Sequence, residues 1–251
     1  MRVSLVSAND VIHLSGNHET VGMLEAPDVW ALTAGGLGGW FEPPAPRYEL
    51  IEQPGFDGAF SPLMRASENR VVEVGGAYRG ESTVSVAAAK RRLAALCRAG
   101  VVRVVVDDAV GVLSCSGFVS AEPQFRQLSR VAFAFKLQVS CPDPLKYGDP
   151  VRFATALSRL DVRNEGAEPI YPVIKFQPND DEVTISVGNK RIVWTGDYGA
   201  VEELVQVDCR TGWCSFGLLQ RDDVIRLDPG TVSVSMAGVD IFEVEVSPAW
   251  M

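Results

Sequence analysis

The stretch "CPDPLKYGDP", residues 141–150, lies just past the midpoint of a 251-residue chain. Its cysteine, aspartates, prolines and tyrosine would suit a catalytic loop, a metal site or a seam between two folded units. Proline cannot donate a ladder hydrogen bond, and it also restricts the residue before it. The strand pattern that ends at Val139 therefore stops here, and a new one begins near Val151. We interpret the stretch as the seam between two domains, residues 1–143 and 144–251.

Most of the sequence on both sides of this seam predicts β-strands. In "VAFAFKLQV", residues 131–139, large apolar side chains alternate with alanine or polar ones, which is typical of a strand with one buried face. Hairpins are predicted with turns at Asp107–Asp108 and Thr211–Gly212. The same alternation recurs in "DEVTISVG" (181–188), "KRIVWTG" (190–196) and "TVSVSMAG" (231–238).

One segment, "STVSVAAAKRRLAALCRAG" at 82–100, predicts an α-helix over about residues 85–99. Its apolar residues recur at steps of three and four and form a single stripe. Ser82 or Ser85 would cap its start, and Gly100 would end it in a left-handed conformation. One helix among many short strands favours β-sandwiches or small barrels over an α/β enzyme.

The charge of the chain excludes some function classes. A formal net charge of −9 lacks the basic footprint of a nucleic-acid binder. We interpret the basic cluster Lys90-Arg91-Arg92 as the solvated face of the predicted helix. No apolar run approaches the roughly 20 residues that span a bilayer. The first residues become polar too early for a signal peptide, so we expect neither export by the usual route nor membrane insertion.

Metal and cofactor sites are not expected from the cysteines and histidines. Of the five cysteines, only Cys209 and Cys214 lie close in sequence, and two thiols do not make a zinc site. Both histidines, His13 and His18, lie at the far end of the chain. We therefore expect free, reduced thiols, no metal and no cofactor.

Catalytic patterns are equally weak. The run "GGLGG" at 35–39 lacks the Lys-Ser/Thr of a phosphate loop. Pairs of carboxylates can hydrolyse glycosides, but adjacent acids usually favour turn geometry and water. No catalytic residue is predicted, and a carboxylate-pair glycosidase is kept as a third hypothesis. The adjacent acidic pairs are Asp107–Asp108, Asp180–Asp181, Glu202–Glu203 and Asp222–Asp223.

The order of several elements is more specific than any one of them. The run "GGLGGWFEPPAPRYELIEQPGFDGAFSP" (35–62) is followed by "NRVVEVGGAY" (69–78), the predicted helix, the phenylalanine-rich strand, the seam, "RNEGAEPIYPVIKF" (163–176) and "DPGTVSV" (228–234). The residues that carry the pattern are Trp40, Pro43, Pro44, Arg47, Pro54, Gly55, Asp57, Gly58, Cys141, Pro142, Asp143, Pro144, Tyr147, Asn164, Gly166, Pro169, Pro172 and Asp208. Over nearly the whole chain, this order resembles the distal tail (Dit) family of long-tailed siphovirus bacteriophages, especially minor tail proteins of phages that infect actinobacteria.

The resemblance implies a structural protein rather than an enzyme. It implies a mainly all-β fold with two β-sandwich domains. The N-terminal sandwich (1–143) carries the helix and forms a hexameric ring, and a peripheral galectin-like or carbohydrate-module-like sandwich (144–251) faces outward. The last residues, "SPAWM", could pack on either domain.

The resemblance also implies partners and a location. The ring would join the tail tube to the tail hub and to receptor-binding or fibre proteins, beside the tape-measure protein, at the tail tip of a virion made in the host cytoplasm. DNA would pass through its lumen. Since a basic wall would hold phosphates, the acidic chain predicts an acidic or neutral lumen, with the Lys90-Arg91-Arg92 face directed away from the axis.

Each matched turn also has a local physical reason. Gly55 and Gly58 allow positive φ on either side of Asp57, whose side chain favours a turn. Asn164 with Gly166 predicts a turn between two strands.

Further roles are predicted around the seam and before Trp40. The double glycine before Trp40 would let the backbone pass close to a large ring. Asp143 and Tyr147 would tie the crossing chain by hydrogen bonds.

An alternative hypothesis from another class is a glycan-binding module. Its second sandwich would grip sugars through Trp194, Tyr198 or Trp213, because aromatic rings provide flat apolar platforms with polar edges. Neighbouring genes for a tape-measure protein and a tail hub would favour the distal tail hypothesis. Retention on polysaccharide would favour the glycan-binding module.

Overall fold

The computed structural model describes residues 1–16, 28–48, 50–60 and 66–251. The protein is mainly β, as predicted, with one α-helix in the described part. It divides into two compact units, one of residues 1–146 with Met251 and one of residues 147–250. Within the described residues, no helix has the length and apolar composition needed to cross a bilayer.

The first unit contains the helix and most of the longer strands. The helix is α1 (Thr83–Arg98). The strands are β1 (Arg2–Val6), β2 (Val11–Ser15), β3 (Val29–Gly38), β4 (Pro46–Arg47), β5 (Ala66–Ser67), β6 (Arg70–Arg79), β7 (Val101–Asp107), β8 (Val112–Val119), β9 (Gln124–Ser129) and β10 (Ala132–Cys141).

Seven of these strands close into a barrel. They pair in the order β8-β7-β1-β2-β3-β6-β10, and β10 returns to pair with β8. The pairing of β8 with β10 that closes the barrel consists of only two residue pairs, Val139↔Val119 and Ser140↔Phe118. The strand pattern allowed either a sandwich or a small barrel, whereas the family resemblance implied a sandwich, and the closed barrel differs from that expectation. The long strand β10 makes the difference, since it pairs with β6 along its whole length and with β8 at its end.

The barrel interior is a packed apolar core, as expected for a small barrel. Alternate residues of the strands point inward, and α1 adds one apolar face. Four aromatic rings form one group, with neighbouring centroids 4.7–6.3 Å apart. These rings belong to Trp30, Tyr78, Phe133 and Phe135, and the helix contributes Val86, Ala89, Leu93 and Leu96.

Helix α1 starts two residues earlier than predicted because both candidate caps are used. The Ser85 amide donates to the Ser82 hydroxyl and the Ser82 amide donates to the Ser85 hydroxyl, each at 3.1 Å. This reciprocal pair satisfies two amides at the helix start. Gly100 follows the helix with φ +83°, the left-handed conformation expected at this end.

The second unit contains shorter strands, with β11 at its boundary. They are β11 (Lys146–Tyr147), β12 (Val151–Thr155), β13 (Arg159–Asn164), β14 (Val173–Pro178), β15 (Glu182–Val187), β16 (Lys190–Thr195), β17 (Val205–Asp208), β18 (Trp213–Cys214), β19 (Leu218–Asp222), β20 (Gly230–Ala237), β21 (Val239–Val246) and β22 (Ala249–Trp250).

Two five-stranded sheets build this unit, with strand orders β12-β21-β14-β17-β18 and β13-β20-β15-β16-β19. Phe176 on β14 meets Trp194 on β16 edge to face, with centroids 5.7 Å apart, so the sheets share apolar contacts. The galectin-like description of this unit stays a prediction.

Candidate functional site

A buried arginine holds the proline-rich stretch and the Gly-Gly-Trp turn against the barrel. Arg70, the first residue of β6, is only 1% exposed. Its Nε donates to the carbonyl of Pro144 at 2.8 Å. Its Nη1 donates to the carbonyls of Gly39, Trp40 and Glu42 at 2.7, 3.1 and 2.9 Å. Hydrogen bonds from an ionised donor are stronger than neutral ones, so this one side chain fixes two loops.

A buried lysine adds to the same cluster. Lys146 Nζ donates to the Trp40 carbonyl at 3.1 Å and lies 5.7 Å from the centroid of the Trp40 ring. Burial lowers the pKa of Lys146, and the neighbouring charge of Arg70 lowers it further. The Trp40 ring itself is 2% exposed, so its position is fixed by core packing as well as by this cation. The seam is therefore anchored by Arg70 and Lys146, two residues that sequence reasoning missed.

The residues predicted to tie the seam do make hydrogen bonds. The Asp143 carboxylate accepts from the Leu145 amide at 3.1 Å. The Tyr147 hydroxyl accepts from Arg210 Nη1 at 3.4 Å. The sequence signal for the stronger anchor is weak: Arg70 is one of three charged residues in the strand RVVEVGGAYR, and only its burial distinguishes it.

Gly39 is required by close contact between two backbone segments. It has φ +70°, and a Cβ at this position would lie 2.0 Å from the carbonyl oxygen of Val71. The close approach is therefore to a neighbouring backbone, whereas the sequence predicted an approach to the Trp40 ring. Gly100 has the similar φ of +83°, but nothing lies within 4 Å of its Cβ position.

We expect Gly39→Ala to destabilise the first unit by about 3 kcal/mol, because a left-handed φ costs about 1 kcal/mol and the backbone must also shift. Gly100→Ala has only the conformational cost, so its free energy of unfolding should fall by about 1 kcal/mol. Urea unfolding of both variants measures the difference. Equal losses in the two variants would contradict the role of the Val71 contact.

The described residues 41–48 and 50–60, here called the apolar arm, expose many large apolar side chains. Monomeric soluble proteins rarely expose such groups together, and larger exposed patches mark interaction sites. The residues are between 46% and 79% exposed and comprise Phe41, Tyr48, Leu50, Ile51, Phe56 and Phe60.

The apolar arm also contains the first matched motif. Gly55 and Gly58 have φ +81° and +93°, on either side of Asp57 as the turn prediction requires. The Gln53 amide donates to the Gly58 carbonyl at 3.2 Å, which closes the turn with Phe56 at its tip. The remaining matched residues here are Pro43, Pro44, Arg47 and Pro54, of which Pro44 is half-buried and the others are exposed.

In the second unit, Asn164 holds a buried turn. It is 2% exposed, and its Nδ2 donates to the carbonyls of Glu168 and Leu227 at 2.9 and 3.1 Å. Its Oδ1 accepts from the Gly166 amide at 2.9 Å. A Cβ on Gly166 would lie 2.4 Å from the backbone of Ala249, which explains glycine at this position.

Asp208 shapes the hairpin between β17 and β18. Its carboxylate accepts from the amides of Arg210 and Thr211 at 2.8 and 3.3 Å. The carbonyl of buried Pro172 accepts from the amide of Cys209 at 3.1 Å. Pro169 is half-buried and Pro142 is exposed.

The three aromatic residues considered for sugar binding are placed very differently. Trp194 is fully buried and donates its Nε1 to the Phe216 carbonyl at 2.6 Å, so it belongs to the core and cannot contact a sugar. Tyr198 and Trp213 are 49% and 54% exposed.

The basic cluster on α1 is largely bound to its surroundings. Arg92 Nε lies 2.6 Å from Asp10 Oδ2, and its Nη2 donates to the Val11 carbonyl at 2.8 Å. The hydrogen bond from Arg92 lowers the pKa of Asp10. Lys90 Nζ donates to the Gln127 side chain at 2.7 Å. Arg91 is exposed.

The acidic pairs show turn and ion-pair roles. The Asp108 carboxylate accepts from the amides of Val110 and Gly111, which closes the turn after β7. The hydrogen bond from Arg221 lowers the pKa of Asp223, whereas a glycosidase acid needs a raised pKa.

Potential metal ligands do not cluster in the described residues, and one histidine is held by a neighbouring strand. In the part of the chain that the structure describes, no group of three potential ligands could hold a metal ion. His13 Nδ1 lies 2.8 Å from the Ser4 hydroxyl on the neighbouring strand, and His18 lies outside the described residues.

Solved structures with the same fold include phage hub and baseplate proteins. The chain is similar to the SPP1 Dit protein, described as a paradigm of the hub adsorption apparatus in phages that infect Gram-positive hosts, with 15% identity over 99% of both chains and a TM-score of 0.69. It is also similar to chains of the phage P2 baseplate in its activated conformation, with Ca (10% identity, 99% and 98% of the chains, TM-score 0.59) and with Sr (11%, 98% of both, 0.59). These likenesses show the fold. No protein-family model and no curated protein matches the sequence.

Proposed function

We propose that this chain is a distal tail protein of a long-tailed bacteriophage, which forms a hexameric ring at the tail tip. The observation that carries the proposal is the end-to-end likeness to SPP1 Dit, which covers 99% of both chains and therefore both units in one order. Since a fold alone does not give a function, the surface of this chain has to support the same role.

The apolar arm supplies that support. Closed rings use head-to-tail contacts in which one patch of each subunit meets a different patch of the next. A stretch with six large exposed apolar side chains, Ile51 and Phe56 among them, suits one half of such a contact. The residue range 1–143 would form the ring, and residues 144–251 would lie at its periphery as a galectin-like unit.

The ring would join the tail tube to the tail hub and to receptor-binding or fibre proteins, with the tape-measure protein as a further neighbour. It would act in the virion without turning over a substrate, as a chain that resembles minor tail proteins of phages that infect actinobacteria. In this role, the hydrogen bonds of Arg70 hold the Gly-Gly-Trp turn against the barrel, and with it the start of the apolar arm.

Imaging of the purified chain by negative-stain electron microscopy tests the ring. Rings with six equal densities around a central hole are expected at high protein concentration or on purified tail tubes. Particles that stay single on tubes, or that form only irregular clusters, would contradict the proposal.

The assembled ring should not retain DNA in its lumen. The net charge of −9 opposes phosphate binding, and Arg92 and Lys90 are already bound to neighbouring side chains. We expect duplex binding weaker than about 100 μM near physiological salt, the weak limit of non-specific binding. Fluorescence anisotropy across a salt series measures this. Tight, salt-sensitive binding, or Lys90, Arg91 and Arg92 lining the pore, would contradict it.

A glycan-binding role of the second unit is favoured by one observation, the exposure of Trp213 and Tyr198. Exposed aromatic rings offer stacking surfaces for sugars, as they do for other ligands. This candidate function predicts retention on host cell-wall polysaccharide that is lost in Trp213→Ala with Tyr198→Ala. The ring proposal is independent of that outcome.

A further inference from the structure

Two buried thiols meet where the barrel closes. Cys115 on β8 is 2% exposed and Cys141, the last residue of β10, is fully buried. Their sulfur atoms are 3.3 Å apart. A disulfide bond is about 2.05 Å long, so a small approach of the two sulfurs would complete one. Sequence reasoning compared only Cys209 with Cys214 because these two lie close along the chain.

The register of the pairing between β8 and β10 explains why the thiols meet. Its last pair is Ser140↔Phe118. One residue further along, Cys141 comes opposite Gly117, where an added Cβ would lie 2.9 Å from the Cys141 Cα. Cys115 lies two residues from Gly117 and therefore shares its face of the strand. Since Gly117 has no side chain, the β10 backbone comes close to β8 here; an added Cβ would lie 2.2 Å from the Ser140 carbonyl oxygen. This close approach brings Cys141 within reach of the Cys115 thiol, which lies diagonally across from it.

A positive charge lies beside this pair. Arg70 Nη2 is buried and has no hydrogen-bond partner among the described residues. The hydrogen bond between the thiols lowers the pKa of Cys141, and the Arg70 charge lowers it too, against the effect of burial. The same hydrogen bond and burial raise the pKa of Cys115. Cys141 is therefore the thiol that ionises first, and the thiolate is the reactive form.

We propose that Cys115 and Cys141 are an oxidisable pair that forms an intramolecular disulfide across the barrel seam. The oxidant has to be small because both thiols are buried, and hydrogen peroxide fits this requirement. The Cys141 thiolate attacks one peroxide oxygen, which breaks the O–O bond and gives a sulfenic acid and hydroxide. The Cys115 sulfur then attacks the Cys141 sulfur, which forms the S–S bond and breaks the S–O bond, and the two hydroxides released take up the two thiol protons. Two thiols and one peroxide thus yield one disulfide and two waters.

The disulfide would reinforce a short pairing in the barrel. The seam between β8 and β10 has only two residue pairs. Cross-linking also restricts the unfolded chain, and the loop between positions 115 and 141 spans 26 residues (141 − 115). For a chain of this length we expect the melting temperature of the first unit to rise by roughly 5–10 °C on oxidation. The proposal does not depend on the assembly role.

Peroxide treatment of the purified full chain tests it. After oxidation, the protein is unfolded in N-ethylmaleimide and analysed by intact mass and peptide mapping. We expect three labelled cysteines of the five, a Cys115–Cys141 cross-linked peptide, and a rise in melting temperature that dithiothreitol reverses. Five labelled thiols after prolonged treatment, or a bridge between Cys209 and Cys214, would overturn the proposal.

Two variants separate the pair from the other thiols. Cys209→Ala with Cys214→Ala keeps the pair and should show the same cross-link and the same thermal shift as the parent. Cys115→Ala should show neither. If Cys115→Ala does not fold, the first variant still decides, because an unchanged melting temperature after its oxidation contradicts the proposed cross-link.

Discussion

Arg70→Leu should lower the free energy of unfolding of the first unit by about 4 kcal/mol, which corresponds to a fall in melting temperature of roughly 8–16 °C. Leucine fills much of the space of the arginine stem but leaves the carbonyls of Gly39, Glu42 and Pro144 without their donor, whereas the Trp40 carbonyl keeps Lys146. Each buried acceptor left unpaired costs about 1–3 kcal/mol. Differential scanning calorimetry measures the shift.

Two matched variants identify the cause. Arg70→Lys keeps the charge but cannot reach four carbonyls. Its free energy of unfolding should therefore lie between those of the wild type and Arg70→Leu. Arg103→Leu, at an exposed position of β7 in the same barrel, should change stability by less than about 0.5 kcal/mol. A leucine variant as stable as the wild type would show that the cluster contributes no net stability.

Ile51→Asp with Phe56→Asp should weaken self-association of the chain by at least about 100-fold. Burying one large apolar side chain is worth about 1.5–3 kcal/mol, and both residues are strongly exposed in the single chain, at 68% and 79%. The loss of two such contacts therefore weakens the free energy of association by about 3 kcal/mol or more. Each factor of ten in affinity corresponds to about 1.4 kcal/mol. Sedimentation equilibrium over a range of concentrations measures the association constant.

The control for this variant carries the same charge change elsewhere on the first unit. Val84 on α1 and Val110 in the turn after β7 are 76% and 97% exposed and lie outside the apolar arm. Val84→Asp with Val110→Asp should associate like the wild type. The arm is not the ring contact if its own double variant associates as tightly as this control. Since all four residues are exposed, each variant should keep the melting temperature of the parent.

Local patterns in the sequence were sufficient to predict the local structure. The alternation in residues 131–139 predicted β10, and the apolar stripe with Ser82 and Gly100 predicted α1. The turn at Thr211–Gly212 predicted the hairpin between β17 and β18. These predictions succeed because strands, helices and turns depend on residues that are neighbours in the chain.

Contacts between distant residues were not predictable in the same way. The barrel closes through two residue pairs between β8 and β10, and no alternation pattern states which strands pair. Arg70 resembled an ordinary strand start, since its partners lie 28–74 residues away and are backbone carbonyls without side-chain signals. Trp194 was offered as a sugar contact, but its burial depends on Phe176 from the other sheet.

Cryo-electron microscopy of the tail tip of a phage that encodes this chain is the most direct test of the proposed function. We predict a ring of six copies at the end of the tail tube, with the apolar arm at the contact between neighbouring copies and the barrels around the lumen. The second units should lie at the periphery. A tail tip without this chain, or with one isolated copy, would contradict the proposal.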